Sequence, residues 1–166
     1  MRGSNHVGMR QFNERIVLQA IRHHGAIPKA DLARLTQLST QTVAIIVTRL
    51  MEEGLLVKQD RVRGKIGQPS VPLSLNPHGA FSVGIQVGRR SLELLVANFC
   101  GEQVHRIEVH YDFPDPDTLF AAISKGFKTF EKRMGEQWAR VVGVGLTAPL
   151  SLHKWADLMG GDAAMA

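Results

Sequence analysis

Three helical patterns of different length, followed by a basic hairpin that contains glycines, constrain the fold of this chain most. Residues 29–56 ("KADLARLTQLSTQTVAIIVTRLMEEGLL") have the spacing of a helix, a short turn and a second helix. Residues 57–77 ("VKQDRVRGKIGQPSVPLSLNP") have the pattern of strand, loop and strand. This order is typical of a winged helix-turn-helix, whose second motif helix enters the DNA major groove. The sequence therefore predicts an α+β chain with double-stranded DNA as its partner.

The charge of the chain is unevenly distributed, in a way that supports a nucleic-acid partner. Residues 1–78 contain 11 Lys and Arg against 5 Asp and Glu, whereas residues 79–166 contain 9 against 10. The net charge of +5 therefore comes from the first half. A phosphate-binding module joined to a neutral module has this distribution, although a merely basic surface would have it too.

The helical patterns have recognisable ends. Residues 1–10 are polar without periodicity, and we expect a mobile N-terminal arm there. The first helix is predicted from Gln11 to His24 and the second from Lys29 to Thr36, with glycine 25 ending the first. Gln37 and Leu38 form the turn, Ser39 or Thr40 caps the third helix, and Gly54 ends it.

The third helix carries one apolar stripe, and its other faces supply the candidates for DNA contact. An amphipathic helix buries such a stripe, which here comprises Val43, Ile46, Val47, Leu50 and Met51. Ile45 is apolar yet lies off the stripe, so it either touches thymine methyl groups or packs against the wing or the first helix. The candidate DNA contacts of this helix are Thr40, Gln41, Thr42, Ile45, Thr48 and Arg49.

The hairpin supplies a second set of candidates. Its strands are predicted at Leu55–Gln59 and Val71–Leu75, and the loop between them contains two glycines that permit tight turns. Cations in this loop can reach phosphates or a minor groove. The candidates in the wing are Arg61, Arg63, Lys65 and Gln68.

After the turn "NPHG" at residues 76–79 the pattern changes to strands. Three runs rich in Val, Ile, Leu and Phe, separated by short breaks, predict an antiparallel meander. A helix should start at Asp115 or Asp117 and extend to about Glu136, and "RVVGVGLTAPL" should form a fourth strand. The buried face expected for that helix comprises Leu119, Phe120, Ile123, Phe127 and Phe130.

These segments, taken in order, resemble the ROK family (repressors, open reading frames, kinases), and specifically its transcriptional regulators. "GKIGQPSVPLSLNP" is similar to that family's wing, and "SVGIQVGRRSLELLVANFCGE" is similar to the first β-hairpin of its sugar-kinase-like domain. "VVGVGLTAPL" is similar to its next strand and loop. The resemblance implies a winged helix-turn-helix at 11–78 and an incomplete ribonuclease-H-like or actin-like effector lobe at 79–166. It implies a DNA-binding regulator, a repressor of sugar-related genes, acting as a homodimer or higher oligomer.

Two positions depart from the family pattern. The resemblance places an Asp-x-Gly-Gly-Thr turn of the active kinases at residues 86–90, where this chain has Gln86, Val87, Gly88, Arg89 and Arg90. A neutral Gln is a poorer Mg²⁺ ligand than a carboxylate, so we expect no kinase activity. In the wing, Gln68 replaces the arginine usual in the family, which removes one possible minor-groove cation. A ROK-type sugar kinase is the alternative function that this resemblance leaves open.

The resemblance also bears on length. The sugar-binding carboxylates and the His/Cys zinc cluster of the family lie further along than Ala166. We therefore expect a sugar effector only if the missing part of the domain is supplied, and expect apolar strand edges that favour self-association. The chain is then a fragment or a truncated gene product; a truncated interaction partner of a full-length regulator is the further alternative.

No catalytic, cofactor or metal motif is found. The sequence lacks HExxH, GxSxG and GxxxxGK[ST], and its single cysteine, Cys100, cannot form an internal disulfide. The N-terminus lacks the apolar core of a secretory signal, and no apolar run is long enough to span a bilayer. The sequence thus predicts a cytoplasmic protein that does not contact membranes, with no cofactor and no enzymatic activity.

Overall fold

A computed structural model describes residues 4–60 and 71–149 of the chain, which divides into two compact units, Met1–Gly79 and Ala80–Ala166. In the first unit the helices are α1 (Ser4–His24), α2 (Lys29–Thr36) and α3 (Thr40–Glu52), and the strands are β1 (Leu56–Lys58) and β2 (Leu73–Leu75). In the second unit the elements are β3 (Phe81–Val87), β4 (Ser91–Asn98), β5 (Gln103–His110), α4 (Pro116–Met134), a 3₁₀ helix (Gly135–Arg140) and β6 (Val141–Thr147). The winged helix-turn-helix order predicted from the sequence is present. None of the described helices is both long enough and apolar enough to cross a membrane.

The helix-turn-helix follows the predicted local signals closely. The bounds of α2 are those predicted, and Gln37 adopts a left-handed conformation (φ 58°) in the turn before α3. Gly25 (φ +73°) ends α1 with its N–H donating to the carbonyl of Ile21 at 2.9 Å, and Gly54 (φ +74°) follows α3. Both glycines occupy the left-handed region that L residues rarely adopt, which explains why each helix ends there.

The first helix starts earlier than predicted. It begins at Ser4, inside the stretch expected to be an irregular arm. The polar composition of residues 4–10 suggested disorder, but the stretch contains no proline, and its one glycine, Gly8, costs a helix only about 1 kcal/mol. The side chains of Met9 in this stretch and of Phe12 just after it are exposed.

A single apolar core joins the three helices and the hairpin of the first unit. It is formed by side chains with at most 2% exposure, namely Val17, Ile21, Leu32, Val43, Val47, Leu50, Leu56 and Leu73. The predicted stripe of α3 is thus buried, except that Met51 is only half-buried. Strand β1 pairs with β2 antiparallel, with Leu56 opposite Leu75, and the backbone of Leu73 also pairs with Ile27. The hairpin is therefore tied to the segment that precedes α2.

Residues 80–149, the described part of the second unit, form a four-stranded mixed sheet with one α-helix. The order of its strands is β5-β4-β3-β6; the first three form the predicted antiparallel meander, and β6 runs parallel to β3. A parallel neighbour requires a crossover connection, which α4 and the 3₁₀ helix supply. Asp115 caps α4, since its carboxylate accepts the N–H of Thr118 at 2.9 Å. Of the two starts predicted for this helix, Asp115 and Asp117, the first is the one observed.

Helix α4 packs against the sheet with a face slightly rotated from the predicted one. The residues of α4 in the core are Leu119, Gly126, Phe130 and Met134. Phe120, predicted on this face, is instead 68% exposed. Successive helical residues are turned by about 100°, so Leu119 and Phe120 cannot both face the sheet once Gly126 and Phe130 do.

Strand β6 is more exposed than its apolar sequence suggests. Val142, Val144 and Leu146 are at least half exposed. Among the described residues, β6 is an edge strand with β3 as its sole neighbour. It therefore has the apolar composition of a buried strand at an exposed edge of the sheet.

Candidate nucleic-acid interface

Helix α3 begins at a well-formed N-terminal cap. The Oγ atom of Ser39 accepts the backbone N–H of Thr42 at 3.1 Å and lies 2.8 Å from the Oγ1 atom of Thr42. Of the two predicted caps, Ser39 is the one used, and Thr40 is the first helical residue. The hydroxyl of Thr42, a predicted DNA contact, therefore belongs to the cap, whereas Thr40 remains exposed. This cap satisfies a backbone N–H at the N-terminal end of α3. In a recognition helix, the residues at this end contact the base edges.

Three predicted contact residues form one outward line on α3. Gln41, Ile45 and Thr48 are exposed and stand at i, i+4 and i+7, opposite the buried Val43 and Leu50. Seven residues of helix span about 10 Å along the axis, which suits a major groove about 12 Å wide. The sequence prediction that this face points away from the core is therefore matched by the burial pattern.

The chemistry of this line is mixed. Gln41 offers an amide that can bind adenine at two points. The Oγ1 atom of Thr48 donates to the carbonyl of Ala44 at 2.9 Å, so its hydroxyl proton is engaged, although the side chain is exposed and its oxygen can still accept. Ile45 is 65% exposed, so the described residues leave most of its side chain uncovered. An exposed isoleucine between two polar residues fits apolar contact with a thymine methyl group.

Arg49 lies beside this line and is held by two carboxylates. Its Nη1 atom is 3.0 Å from Oε1 of Glu14 on α1, and its Nε atom is 2.8 Å from Oε1 of Glu53. The hydrogen bond with Glu53, followed by the charge of Glu14, raises the pKa of Arg49 above its usual value. The guanidinium links α1 to α3, a contact that the spacing along α3 could not reveal, and the DNA contact expected of Arg49 stays a prediction.

The wing is described only at its base. The predicted contacts Arg61, Arg63, Lys65 and Gln68 lie outside the described residues, and their role in DNA contact stays a prediction. At the base, the N–H of Gln59 donates to the carbonyl of Pro72 at 2.9 Å. Lys58, at the end of β1, is exposed and adds a cation that the sequence reasoning had not singled out. Burial decreases along β1 from Leu56 to Lys58, and the charge of Lys58 was itself the signal in the sequence for its exposure.

In the second unit, the turn between β3 and β4 occupies the position that the family resemblance gave to the Asp-x-Gly-Gly-Thr turn of the active kinases. The N–H of Gly88 donates to the carbonyl of Ser91 at 2.7 Å, and the hydroxyl of Tyr111 lies 2.7 Å from the carbonyl oxygen of Gly88. Burial raises the pKa of Tyr111, which keeps its proton available for that bond. Gln86 and Arg90 are exposed, and within the described ranges no group of three His, Cys, Asp or Glu side chains could hold a metal ion. A tyrosine, rather than a carboxylate, therefore organises this turn.

Sequence comparisons agree with this arrangement. The model of the MarR family matches residues 11–65, which contain most of α1 and all of α2, α3 and β1. A putative xylose repressor of Caldicellulosiruptor sp. (strain Rt8B.4) is 30% identical over 98 residues, covering 59% of this chain and 25% of that protein. The xylose repressor of Caldicellulosiruptor bescii is 23% identical over 151 residues, covering 90% of this chain and 38% of that protein. A transcriptional regulator of Mycobacterium tuberculosis is 29% identical over 135 residues, covering 79% of this chain and 30% of that protein.

The chain spans about a quarter to two fifths of the length of these relatives. A solved structure of a ROK family transcriptional regulator, a homologue of the Escherichia coli MLC protein, superposes with a TM-score of 0.64 and 24% identity. The match covers 85% of this chain and 36% of that one. Over the matched residues, the chain therefore has the fold of that regulator.

Proposed function

We propose that this chain is the DNA-binding part of a transcriptional repressor that recognises a specific duplex sequence through α3. The observation that carries the proposal is the exposed line of Gln41, Ile45 and Thr48 on a capped helix whose opposite face is buried. A helix that only supported the fold would not need an exposed isoleucine between two hydrogen-bonding side chains, because burying that isoleucine would be more favourable.

The two sets of predicted contacts have different roles in this proposal. Gln41, Ile45 and Thr48 contact base edges, whereas the cations of the wing, Arg61, Arg63 and Lys65, contact phosphates. Phosphate contacts provide affinity for any duplex, and base contacts discriminate between duplexes. Arg49 orients α3 through its contacts with Glu14 and Glu53.

The names of similar proteins support the biological setting. Two of the relatives are named xylose repressors, and we infer that the target genes of this chain concern sugar metabolism. Binding as a homodimer to a two-fold-related site is part of the proposal, since helix-turn-helix proteins commonly bind half-sites one helical turn apart. Phosphoryl transfer is not part of it, because Gln86 and Arg90 line the turn where the kinases of the family carry a carboxylate and small residues.

Selection from a randomised duplex library tests the proposal. We expect successive rounds to enrich one sequence, with two related halves about 10 base pairs apart from centre to centre. Enrichment of a single half-site would support recognition by α3 but would contradict binding as a homodimer. A library that stays random, although the protein retains duplex DNA, would contradict sequence-specific recognition.

A further inference from the structure

Helix α4 carries a cationic stripe that neither the sequence analysis nor the proposed function uses. The stripe consists of Lys125, Lys128, Lys132 and Arg133, all exposed. The second unit is nearly neutral overall, so its net charge conceals this concentration on one helix.

The spacing places these cations together. Lys125, Lys128 and Lys132 stand at i, i+3 and i+7 and therefore lie on one face of α4, over about 10 Å of helix axis. Together with Arg133 and Thr129 they line an open depression of about 610 Å³. Glu131, the acidic residue in the same stretch, stands three residues after Lys128, but among the described residues it forms no ion pair with it.

The four cations of the stripe form no ion pair with a carboxylate among the described residues. Arg34, Arg49 and Arg106 each form an ion pair there, whereas no cation of the stripe does. Like charges one helical turn apart repel each other. Lys132 and Arg133 stand in the last turn, where they complement the helix dipole, but Lys125 and Lys128 stand too far from the end for that. An external anion near Lys125 and Lys128 would relieve this repulsion.

We propose that the stripe on α4 is a second phosphate-contacting surface, which binds the backbone of duplex DNA without reading its sequence. This inference rests on the proposed function, because it assumes that DNA is the polyanion that this protein meets. Duplex DNA presents a regular array of phosphates to a row of cations of this length, and lysine is well suited to such contacts as a point charge.

A groove beside the stripe suggests an alternative ligand, an acidic protein segment. A groove of about 380 Å³ adjoins the stripe between α4 and β5, and apolar side chains such as Ile107 and Val109 line it. An acidic protein segment would use both the groove and the cations. DNA is favoured because the stripe continues beyond the groove to Lys128 and Lys132, which line the depression and not the groove.

The test compares two double variants of the full chain that remove equal charge from the second unit. The variant K125Q/K128Q neutralises the two stripe lysines that have no helix-dipole role, and R89Q/R90Q neutralises two exposed cations of the β3–β4 turn. Binding to a random duplex of about 40 base pairs, roughly four helical turns, is followed by fluorescence anisotropy over a series of salt concentrations. Circular dichroism checks that both variants keep the wild-type fold.

If the lysines contact phosphates, the slope of log K against log salt becomes shallower by about 0.9 for each lysine in K125Q/K128Q and changes little in R89Q/R90Q. Equal changes in both variants would mean that overall charge matters and would overturn the inference. A wild-type slope retained in K125Q/K128Q would also overturn it, and would favour an acidic protein segment as the ligand. Failure of the wild-type chain to bind any duplex would instead contradict the proposed function, and this inference with it.

Discussion

The Nη1 atom of Arg49 lies 3.0 Å from the Oε1 atom of Glu14, 35 residues earlier in the chain. The contact joins the helix with the exposed contact line to the first helix of the unit, and Glu14 keeps only 16% of its side-chain exposure. The contact with Glu14 links α3 to α1, whereas the contact with Glu53 lies within α3 and its C-cap. We expect the link to Glu14 to help set the rotation of α3 about its axis, which decides which residues face outward.

The Arg49–Glu14 link predicts coupling between the two residues. We expect R49Q and E14Q each to lower the midpoint of thermal unfolding, and the double variant to lose less than the sum of the single losses, because the pair can be broken only once. Thermal unfolding of the four proteins followed by circular dichroism provides the measurement. Strictly additive losses would mean that the contact contributes nothing.

The same pair also distinguishes a positioning role for Arg49 from a direct DNA contact. If Arg49 positions α3, E14Q weakens binding to the selected duplex relative to random DNA, even though it removes a negative charge near the DNA-facing helix. If Arg49 itself contacted DNA, freeing it from Glu14 would strengthen binding. Anisotropy titrations of E14Q on both duplexes separate these outcomes.

The cap on α3 gives a prediction about stability. Replacing Ser39 by Ala removes the side-chain acceptor of the Thr42 N–H and should cost about 1 kcal/mol in the free energy of unfolding. The matched control is Thr40→Ala, since Thr40 is exposed and no cap hydrogen bond depends on it. Urea denaturation measures both variants, and equal stability of S39A and the wild type would show that the cap is dispensable.

Two neighbouring isoleucines of α3 should respond in opposite ways. Ile45 is exposed, so Ile45→Ala should leave the free energy of unfolding almost unchanged while it weakens binding to the selected duplex. Ile46 is buried, so Ile46→Ala should cost about 2–5 kcal/mol of stability. Urea denaturation and DNA titration of both variants provide the comparison. Normal DNA affinity of the Ile45 variant would place this side chain outside the interface.

Local signals account for the parts of the fold that the sequence predicted well. The bounds of α2, the Ser39 cap and the left-handed glycines at 25 and 54 depend on residues within a few positions of each other. The exposed line on α3 was predictable for the same reason, because helical periodicity assigns its faces once the buried stripe is recognised.

The features that the sequence did not reveal depend on distant residues. The engagement of Arg49 requires Glu14 on another helix, and the exposure of Phe120 follows from the rotation at which α4 meets the sheet. The composition of β6 predicts a buried strand, but burial depends on which strand or helix lies beside it. The cationic stripe on α4 was hidden because a net charge summed over a whole unit does not record where the charges lie.

The central claim is that the exposed face of α3 discriminates between DNA sequences, and the Gln41→Ala variant tests it most directly. Its affinity for the selected duplex and for random duplex would be measured at one fixed salt concentration, beside the wild type and the wing variant Arg63→Ala. The account predicts that Gln41→Ala loses about 1–3 kcal/mol of discrimination and keeps its affinity for random DNA, whereas Arg63→Ala weakens both duplexes alike. Equal losses of Gln41→Ala on the two duplexes, or an unchanged ratio of affinities, would contradict it.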